Sequence, residues 1–477
     1  MKTRSTANNI VKMLIALSAS SVYAFELSPT VEIHGFGTLG ASMTNATEVN
    51  LVNAVTKQIT PVIPQINGVD NKPNFTQENL GGLRFILGIT DDISFTSEFL
   101  SEGALDYAVN TDWLYFEWQM SDQWDMKIGR VRLPLFLLSQ YLKIGYTYPW
   151  TRPPIEVYNY FAVSDFSGVL LKNLYPFSNG WAVETTLGYG NSSEQPTKFS
   201  GTSVTIDNVL TSELILFNDN IRLRAGYLAG SLGAVFPSNI QNLANILGNP
   251  CPAFNADLAP QLITVTQIPG APYACTIATV PGAPFPVPAG LSTVQIDGVI
   301  PQFLNVKNDS SKFLSFGYDM NWNHFLSIGE WKKTYSADAL IPQGEAWYVL
   351  GGFNWDAITF HLTYSTSRTN NNGGRVLQNT PSSTYVNPFS LFGPLPLPHP
   401  ETMQDSANLA MKAFNIAESS ITAGIRYDIF RGTALKFDYR YVMPDDNTRG
   451  FFATPQGGAV IPGKRISWVT AVIDVIF

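Results

Sequence analysis

The chain has 477 residues, a formal charge of −8, 13% aromatic residues and only 14% charged residues, where about 25% charged is usual for a soluble protein. The negative balance argues against nucleic acid as a partner, because phosphate contacts need clusters of Lys and Arg. The longest charge-free run, Leu258–Ile296, is crossed by seven prolines, so it cannot span a membrane as a helix.

Residues 1–24 read as a secretory signal peptide. Lys2, Arg4 and Lys12 form a basic opening, Met13–Val22 a short apolar core, and Val22-Tyr23-Ala24 a small-residue cleavage site. The expected mature chain is 25–477, more acidic than the whole because three positive charges leave with the leader.

Beyond the leader, segments of about ten residues with alternating apolar and polar side chains recur, the length of a tilted strand crossing a bilayer. Val31–Met43 stands alone. Leu80–Thr90 turns at Asp91-Asp92 into Ile93–Ser101, Trp113–Met120 at Ser121–Gln123 into Trp124–Arg132, and Phe166–Leu174 through Pro176–Gly180 into Trp181–Gly190. Thr205–Phe217 turns at Asn218–Asn220 into Ile221–Gly230, Lys312–Met320 at Asn321–Asn323 into His324–Thr334, and Glu345–Phe353 at Asn354–Asp356 into Ala357–Ser365. Ser419–Asp428 turns near Arg431-Gly432 into Thr433–Val442, and Lys464–Phe477 is single again. In that last strand Val469, Ala471, Ile473, Val475 and Phe477 share one face. Asx and Gly at the short joints are what tight hairpins require. The count is sixteen strands in an all-β, antiparallel transmembrane barrel whose last strand closes on the first.

Alternation also assigns the faces. Leu114, Phe116, Trp118 and Met120 alternate with Tyr115, Glu117 and Gln119, and Leu435, Phe437, Tyr439 and Tyr441 with Lys436, Asp438 and Arg440. The apolar set must meet lipid, since a Lys or Arg at mid-bilayer costs roughly 2–4 kcal/mol. The polar set then lines an interior too wide for side chains to fill, which implies a water-filled solute path. Trp113, Trp124, Trp181, Trp322, Trp331, Trp347, Trp355 and Trp468, near strand ends, are expected in interfacial girdles.

The connection 133–165 differs from the others. Pro134–Leu142 is compact and apolar, a short helix by composition, and Pro149–Tyr158 follows with three prolines and a Trp. Such a stretch is too apolar for an exposed loop and is expected to fold inward. Here the chain resembles the general porins of the Gram-negative outer membrane. The likeness covers signal peptide, sixteen strands, short turns against long loops and terminal Phe477, and is sharpest at Met126-Lys127-Ile128-Gly129-Arg130. It implies an outer-membrane location among lipid and lipopolysaccharide, a homotrimer, small hydrophilic solutes and ions as cargo, and 133–165 as the eyelet loop beside Arg130 and Arg132. That loop holds Lys143, Arg152 and Glu156, fewer acids than the family's acidic third loop, which weakens the case for cation selectivity. Arg130 and Arg132 also share alternation with outward Ile128, so facing the lumen requires a bulge or an exit from the lipid band.

Further lining candidates are basic Arg84, Arg222, Arg224, Arg426, Lys436 and Arg440, and acidic Glu117 and Asp319, with Glu98, Glu184 and Asp438 beside them. Arginine near the eyelet weakly favours anions. Three other connections are long: 44–79, 231–311 and 366–418. Helices are expected at Ser238–Leu247 and around Leu409–Ile416. Cys251 and Cys275 close a loop as a disulfide, worth roughly 3.5 kcal/mol for about 25 residues, or stand as two free thiols; no histidine near them supports a metal site. No catalytic signature is present, the four histidines are scattered, and no cofactor is implied. The reading is a passive diffusion channel rather than an enzyme. A substrate-selective channel for anions, sugars or small organic acids is the alternative, and a plugged adhesion or receptor barrel the next.

Overall fold

A computed structural model describes residues 30–52, 59–158, 165–194, 203–235, 263–268, 271–279, 293–295, 309–336, 343–369, 416–445, 448, 450–453 and 464–477. Sixteen antiparallel strands close into one barrel. In chain order they are β1 (Val31–Thr44), β2 (Leu80–Gly88), β3 (Ile93–Glu102), β4 (Val109–Ser121), β5 (Trp124–Arg132), β6 (Asp165–Pro176), β7 (Ala182–Glu194) and β8 (Ser203–Phe217). The second half comprises β9 (Ile221–Val235), β10 (Asp309–Trp322), β11 (Phe325–Ser336), β12 (Gly344–Trp355), β13 (Ile358–Thr369), β14 (Ala417–Phe430), β15 (Thr433–Pro444) and β16 (Ile466–Ile476). Every segment expected from alternation is a strand, with ends shifted by a few residues. The expected fold class is the observed one.

Closure lies between β1 and β16, in register from Phe36↔Ile476 to Thr44↔Trp468. The seam extends one step further, because Gly35 and Phe477 exchange both backbone hydrogen bonds, at 2.8 and 2.9 Å. The short turns carry their specifying residues. Asn218 Oδ1 accepts from the backbone N–H of Asn220 and Ile221 at 2.9 and 2.8 Å. Asn323 and Asp356 adopt the left-handed conformation at φ 53° and 56°, and Gly180 and Gly432 at φ 82°. One rim is thus made of tight turns, and the other carries the long connections.

Outward residues are apolar around the cylinder, with Leu39, Leu114, Phe116, Leu187, Leu362 and Phe437 all exposed. The girdle expectation holds for Trp322 and Trp355, each about two-thirds exposed at 63% and 66%. It is corrected for Trp113 and Trp468, which are buried at 7% and 3%. Trp113 shares alternation with inward Tyr115, and Trp468 with inward Thr470, so both project into the barrel.

The connection 44–79 is more structured than a surface loop. It contains the hairpin Val49–Val52 with Ile59–Val62, and Gln65–Ile66 pairs with Phe452–Ala453. Ile66, Val69 and Phe452 are buried with Ile155 and Trp468 in one apolar cluster. In 231–311 a small sheet joins Ile263–Ile268, Ala271–Thr279 and Thr293–Gln295. Residues 1–29, Cys251, the expected helix 238–247 and all of the expected helix around 409–416 except Ile416 lie outside the described residues.

Gly129, on β5 just before the inward segment, has φ +138°, and a Cβ there would sit 2.3 Å from the Leu114 carbonyl oxygen. Gly129→Val should therefore strain the β4–β5 ladder and destabilise the barrel by on the order of 2 kcal/mol, read as a lower denaturation midpoint in detergent.

Candidate functional site

Residues 133–158 run inside the barrel. Instead of the expected helix over Pro134–Leu142, single 3₁₀ turns form at Ser139–Tyr141 and Gly145–Thr147, followed by one α-turn at Ile155–Tyr158. The prolines and the apolar run favour a chain that packs its side chains individually against the wall. Leu133, Leu135, Phe136, Trp150 and Val157 are buried with Phe166, Phe313 and Tyr348 of the strands.

Few carbonyls and amides of this segment can pair with each other, so wall side chains satisfy them. Arg224 donates to the carbonyls of Pro134 and Leu135 at 2.6 and 3.0 Å, and Ser315 also reaches Leu135 at 2.7 Å. The Leu137 N–H donates to Glu330 at 2.7 Å. Lys436 Nζ donates to the carbonyls of Gly145 and Trp150 at 2.6 and 3.0 Å while paired to Asp474 at 2.8 Å. Arg426 holds the carbonyls of Tyr146 and Tyr148 at 2.6 and 3.1 Å. Asp438 accepts from both the N–H and the hydroxyl of Thr151 at 2.8 Å. Trp150 Nε1 donates to Thr363 at 2.8 Å, and Ser420 donates to Glu156 at 2.5 Å. Tyr158 donates to Glu330 at 2.7 Å; burial and the neighbouring Glu330 push its phenol well above the usual range, so it remains a donor.

These contacts come from each of the eight consecutive strands β9–β16, with Trp150 lying edge-on against Tyr348 of β12 and Gly145 set against Asp474 of β16. Where the segment lies against it, that half of the wall is covered. The side chains of Arg224, Glu330, Lys436, Asp474 and His361 are 1% exposed or less.

The opposite arc stays open. On β2–β7 the inward charges also form ion pairs; those of β4–β7 toward the turn rim remain partly wet, whereas Glu98, Asp112 and Arg132 are buried. Arg84 pairs with Glu98 at 2.6 Å and lies 4.1 Å over the Trp113 ring. Lys127 pairs with Glu117 at 3.4 Å, and Lys172 with both Asp125 and Glu184 at 3.5 Å. The side chains of Lys127, Glu117 and Lys172 are 26, 31 and 34% exposed. Arg222 donates to Tyr141 of the inner segment at 2.9 Å and faces Asp319 across the ladder. At the turn rim this arc opens into a cavity of about 1150 Å³ lined by Glu32, Gln119, Asp122 and Asp125 among others.

Two further ion pairs tie the inner segment across the lumen. Arg152 reaches Glu78 at 2.7 Å, and Lys143 pairs with Glu102. They border a cleft of about 280 Å³ that also touches Thr38, Asn67 and Tyr148.

The expected residues therefore separate into groups. Arg84 and Glu117 lie on the open arc, Arg222 and Asp319 face each other at the turn-rim end of β9 and β10 with Arg222 bonded to Tyr141, and Arg224, Arg426, Lys436, Arg440 and Glu156 are absorbed in holding the segment. Arg440 donates to Thr422 and stacks over Trp468 at 5.3 Å. Arg130 pairs with Asp165 at 3.1 Å, and Arg132 is buried against Asp112 at the loop rim. Glu330, Asp474, Thr363, Lys127, Asp125 and Lys172 belong to the arrangement and were missed. Their inward alternation was visible, but nothing local marks what a wall residue will touch.

No protein-family profile matches the chain, and no curated protein is similar to it in sequence. The solved structures it resembles are outer-membrane porins and channels. An anion-selective porin from Comamonas acidovorans has 11% identity and a TM-score of 0.48, with 94% of this chain and 100% of that one covered. Salmonella typhi OmpF, in complex with daunomycin, has 10% identity and a TM-score of 0.49, with 96% and 100% covered. The outer-membrane channel DcaP of Acinetobacter baumannii has 10% identity and a TM-score of 0.46, again with 96% and 100% covered.

Removing Lys436 would leave Asp474 buried and unpaired, which costs about 3–5 kcal/mol. Lys436→Met is expected to destabilise the barrel by at least that amount, and the double change Lys436→Met/Asp474→Leu to recover the part due to the orphaned carboxylate but not that due to the Gly145 and Trp150 carbonyls, measured by denaturant unfolding in detergent.

Proposed function

We propose that the chain forms a water-filled pore in an outer membrane for passive diffusion of small hydrophilic solutes and ions. The observation that carries this reading is the asymmetry of the lumen. The inner segment is bonded to β9–β16, and the ion-paired Glu117, Lys127 and Lys172 of β4–β6 are left partly exposed beside it. A barrel of this strand number is too wide for its own side chains to fill, and one segment leaning on one side narrows the path without filling it.

The open arc bears both signs in neighbouring pairs: Arg84, Lys127 and Lys172 against Glu98, Glu117, Asp125 and Glu184. Pairing of this kind cancels at a distance, so it supports modest selectivity rather than a strong preference for anions. A dedicated sugar or acid channel finds no comparable support. Assembly as a trimer belongs to the same reading and would show as conductance steps in threes.

Planar-bilayer recording tests the proposal. The purified protein should give steps that scale with salt, and silence would reject the pore. Shortening Tyr141–Pro154 should enlarge the steps if this segment narrows the path. Lys127→Gln/Lys172→Gln should shift permeability toward cations. One unpaired charge at about 4 Å contributes ~1 kcal/mol in water, or about fivefold in local ion concentration. Glu117→Gln/Glu184→Gln should shift permeability the opposite way, as read from reversal potentials in a salt gradient.

A further inference from the structure

The cleft of about 280 Å³ beside the inner segment is charged and yet balanced. Among the described residues its ionic lining is Lys143 and Arg152 of the segment, Glu78 of the connection before β2, and Glu102 at the end of β3. Two acids meet two bases, unlike the cavity at the turn rim, where acids outnumber bases. The two ion pairs leave bonding capacity unused. Glu78 Oε2 accepts from Arg152 at 2.7 Å, whereas Glu78 Oε1 has no hydrogen-bond partner although the side chain is only 3% exposed. A buried acceptor in that condition is costly until something donates to it. Arg152 donates through Nη2 and Lys143 through one N–H, and both are partly exposed, so each keeps further donors.

A second orphan lines the same space. Asn67 and Gly68 are the central residues of a two-residue turn, at φ 50° and 77°, closed by two backbone hydrogen bonds of 3.0 Å between Ile66 and Val69. Buried Ile66 and Val69 anchor this turn in the apolar cluster that also holds Ile155 of the segment. Asn67 thereby borders the cleft, and its Nδ2 donor is buried without a partner. One anionic acceptor and one amide donor thus stand unused on a single small cavity.

These groups define the ligand. A lone cation would satisfy Glu78 and upset the balance of two acids and two bases, and a lone anion would upset it the other way. Sugar hydroxyls would bond but gain little from four charges. A molecule with an ammonium and a carboxylate close together satisfies both orphans and leaves the balance intact. The cleft lies just below the roughly 300–1000 Å³ of pockets for drug-sized ligands, so it suits a smaller solute. Leu80, Leu142 and Ile155 offer a short side chain an apolar wall. We propose that this cleft binds a small zwitterion of the α-amino acid class. Its ammonium would donate to Glu78 Oε1, and its carboxylate would accept from Asn67 Nδ2 and the remaining N–H groups of Arg152 and Lys143. The inference deepens the pore reading above, on which it rests for its role: a solute class held briefly beside the inner segment on its way through.

Titration calorimetry on the full-length protein in detergent tests this with L-alanine, alaninamide, N-acetylalanine and glucose. Alaninamide keeps only the positive charge of alanine, and N-acetylalanine only the negative one. The wild type should bind alanine about tenfold or more tightly than any of the others, because each lacks at least one charged hydrogen-bonding end. Asn67→Asp keeps a residue type that tolerates the left-handed turn and makes the lining net negative, so the preference should pass to alaninamide. Glu78→Gln makes the lining net positive and should pass it to N-acetylalanine. A wild type that takes alaninamide, N-acetylalanine or glucose as well as alanine overturns the proposal, and so does one that takes no alanine. An unaltered preference, or an equal weakening of every probe, in Asn67→Asp overturns it too. A barrel that conducts in planar bilayers but ignores alanine sinks this inference alone. One that binds alanine and stays silent sinks the pore alone.

Discussion

In a hydrocarbon surrounding, a β-sheet has no solvent with which to satisfy an unpaired edge. Each exposed N–H or carbonyl would cost several kcal/mol, so the sheet must close on itself. The β1–β16 seam is where this chain meets that demand, with nine consecutive register pairs from Phe36↔Ile476 to Thr44↔Trp468. Everything else follows from closure. Once the cylinder is complete, alternation has only two destinations, lipid and lumen, and away from the rims the polar side chains of a strand are committed to the inside.

The same demand recurs within the lumen for residues 133–158. A segment with so little regular structure cannot satisfy its own backbone, and the wall supplies what is missing. Arg224, Arg426 and Lys436 each donate to two of its carbonyls, and Asp438 accepts from one of its N–H groups. Buried charge on β9–β16 therefore serves to fix the segment, whereas charge on β2–β7 is paired along the wall, and Glu117, Lys127 and Lys172 keep part of their water. Two roles for the same residue types are set by which arc the segment covers.

Much of this was legible in the sequence. Alternation over about ten residues, broken by Asx and Gly, located all sixteen strands, because lipid on one side and water on the other impose the period directly. The apolar run Pro134–Leu142 also announced that its segment would leave the surface. Which arc it would cover was not legible. The deciding contacts join residues hundreds of positions apart, as Thr151 to Asp438 and Gly145 to Lys436, and neither partner is unusual in its own neighbourhood. Trp113 and Trp468 show the opposite failure. Their alternation with Tyr115 and Thr470 pointed inward, but position near a strand end suggested the girdle.

The cavity at the turn rim holds one further consequence. Glu32, Asp91, Asp92, Glu117, Asp122 and Asp125 border it against the single base Lys172, whereas Arg84 and Arg152 elsewhere in the lumen are each matched by one glutamate, Glu98 and Glu78. Fixed charge is thus negative at the turn-rim mouth and more nearly balanced at these two pairs. Mobile cations would be enriched at that entrance and thinned further in. In the proposed pore such an imbalance would make the two directions of travel inequivalent under an applied voltage, with some of the character of a diode.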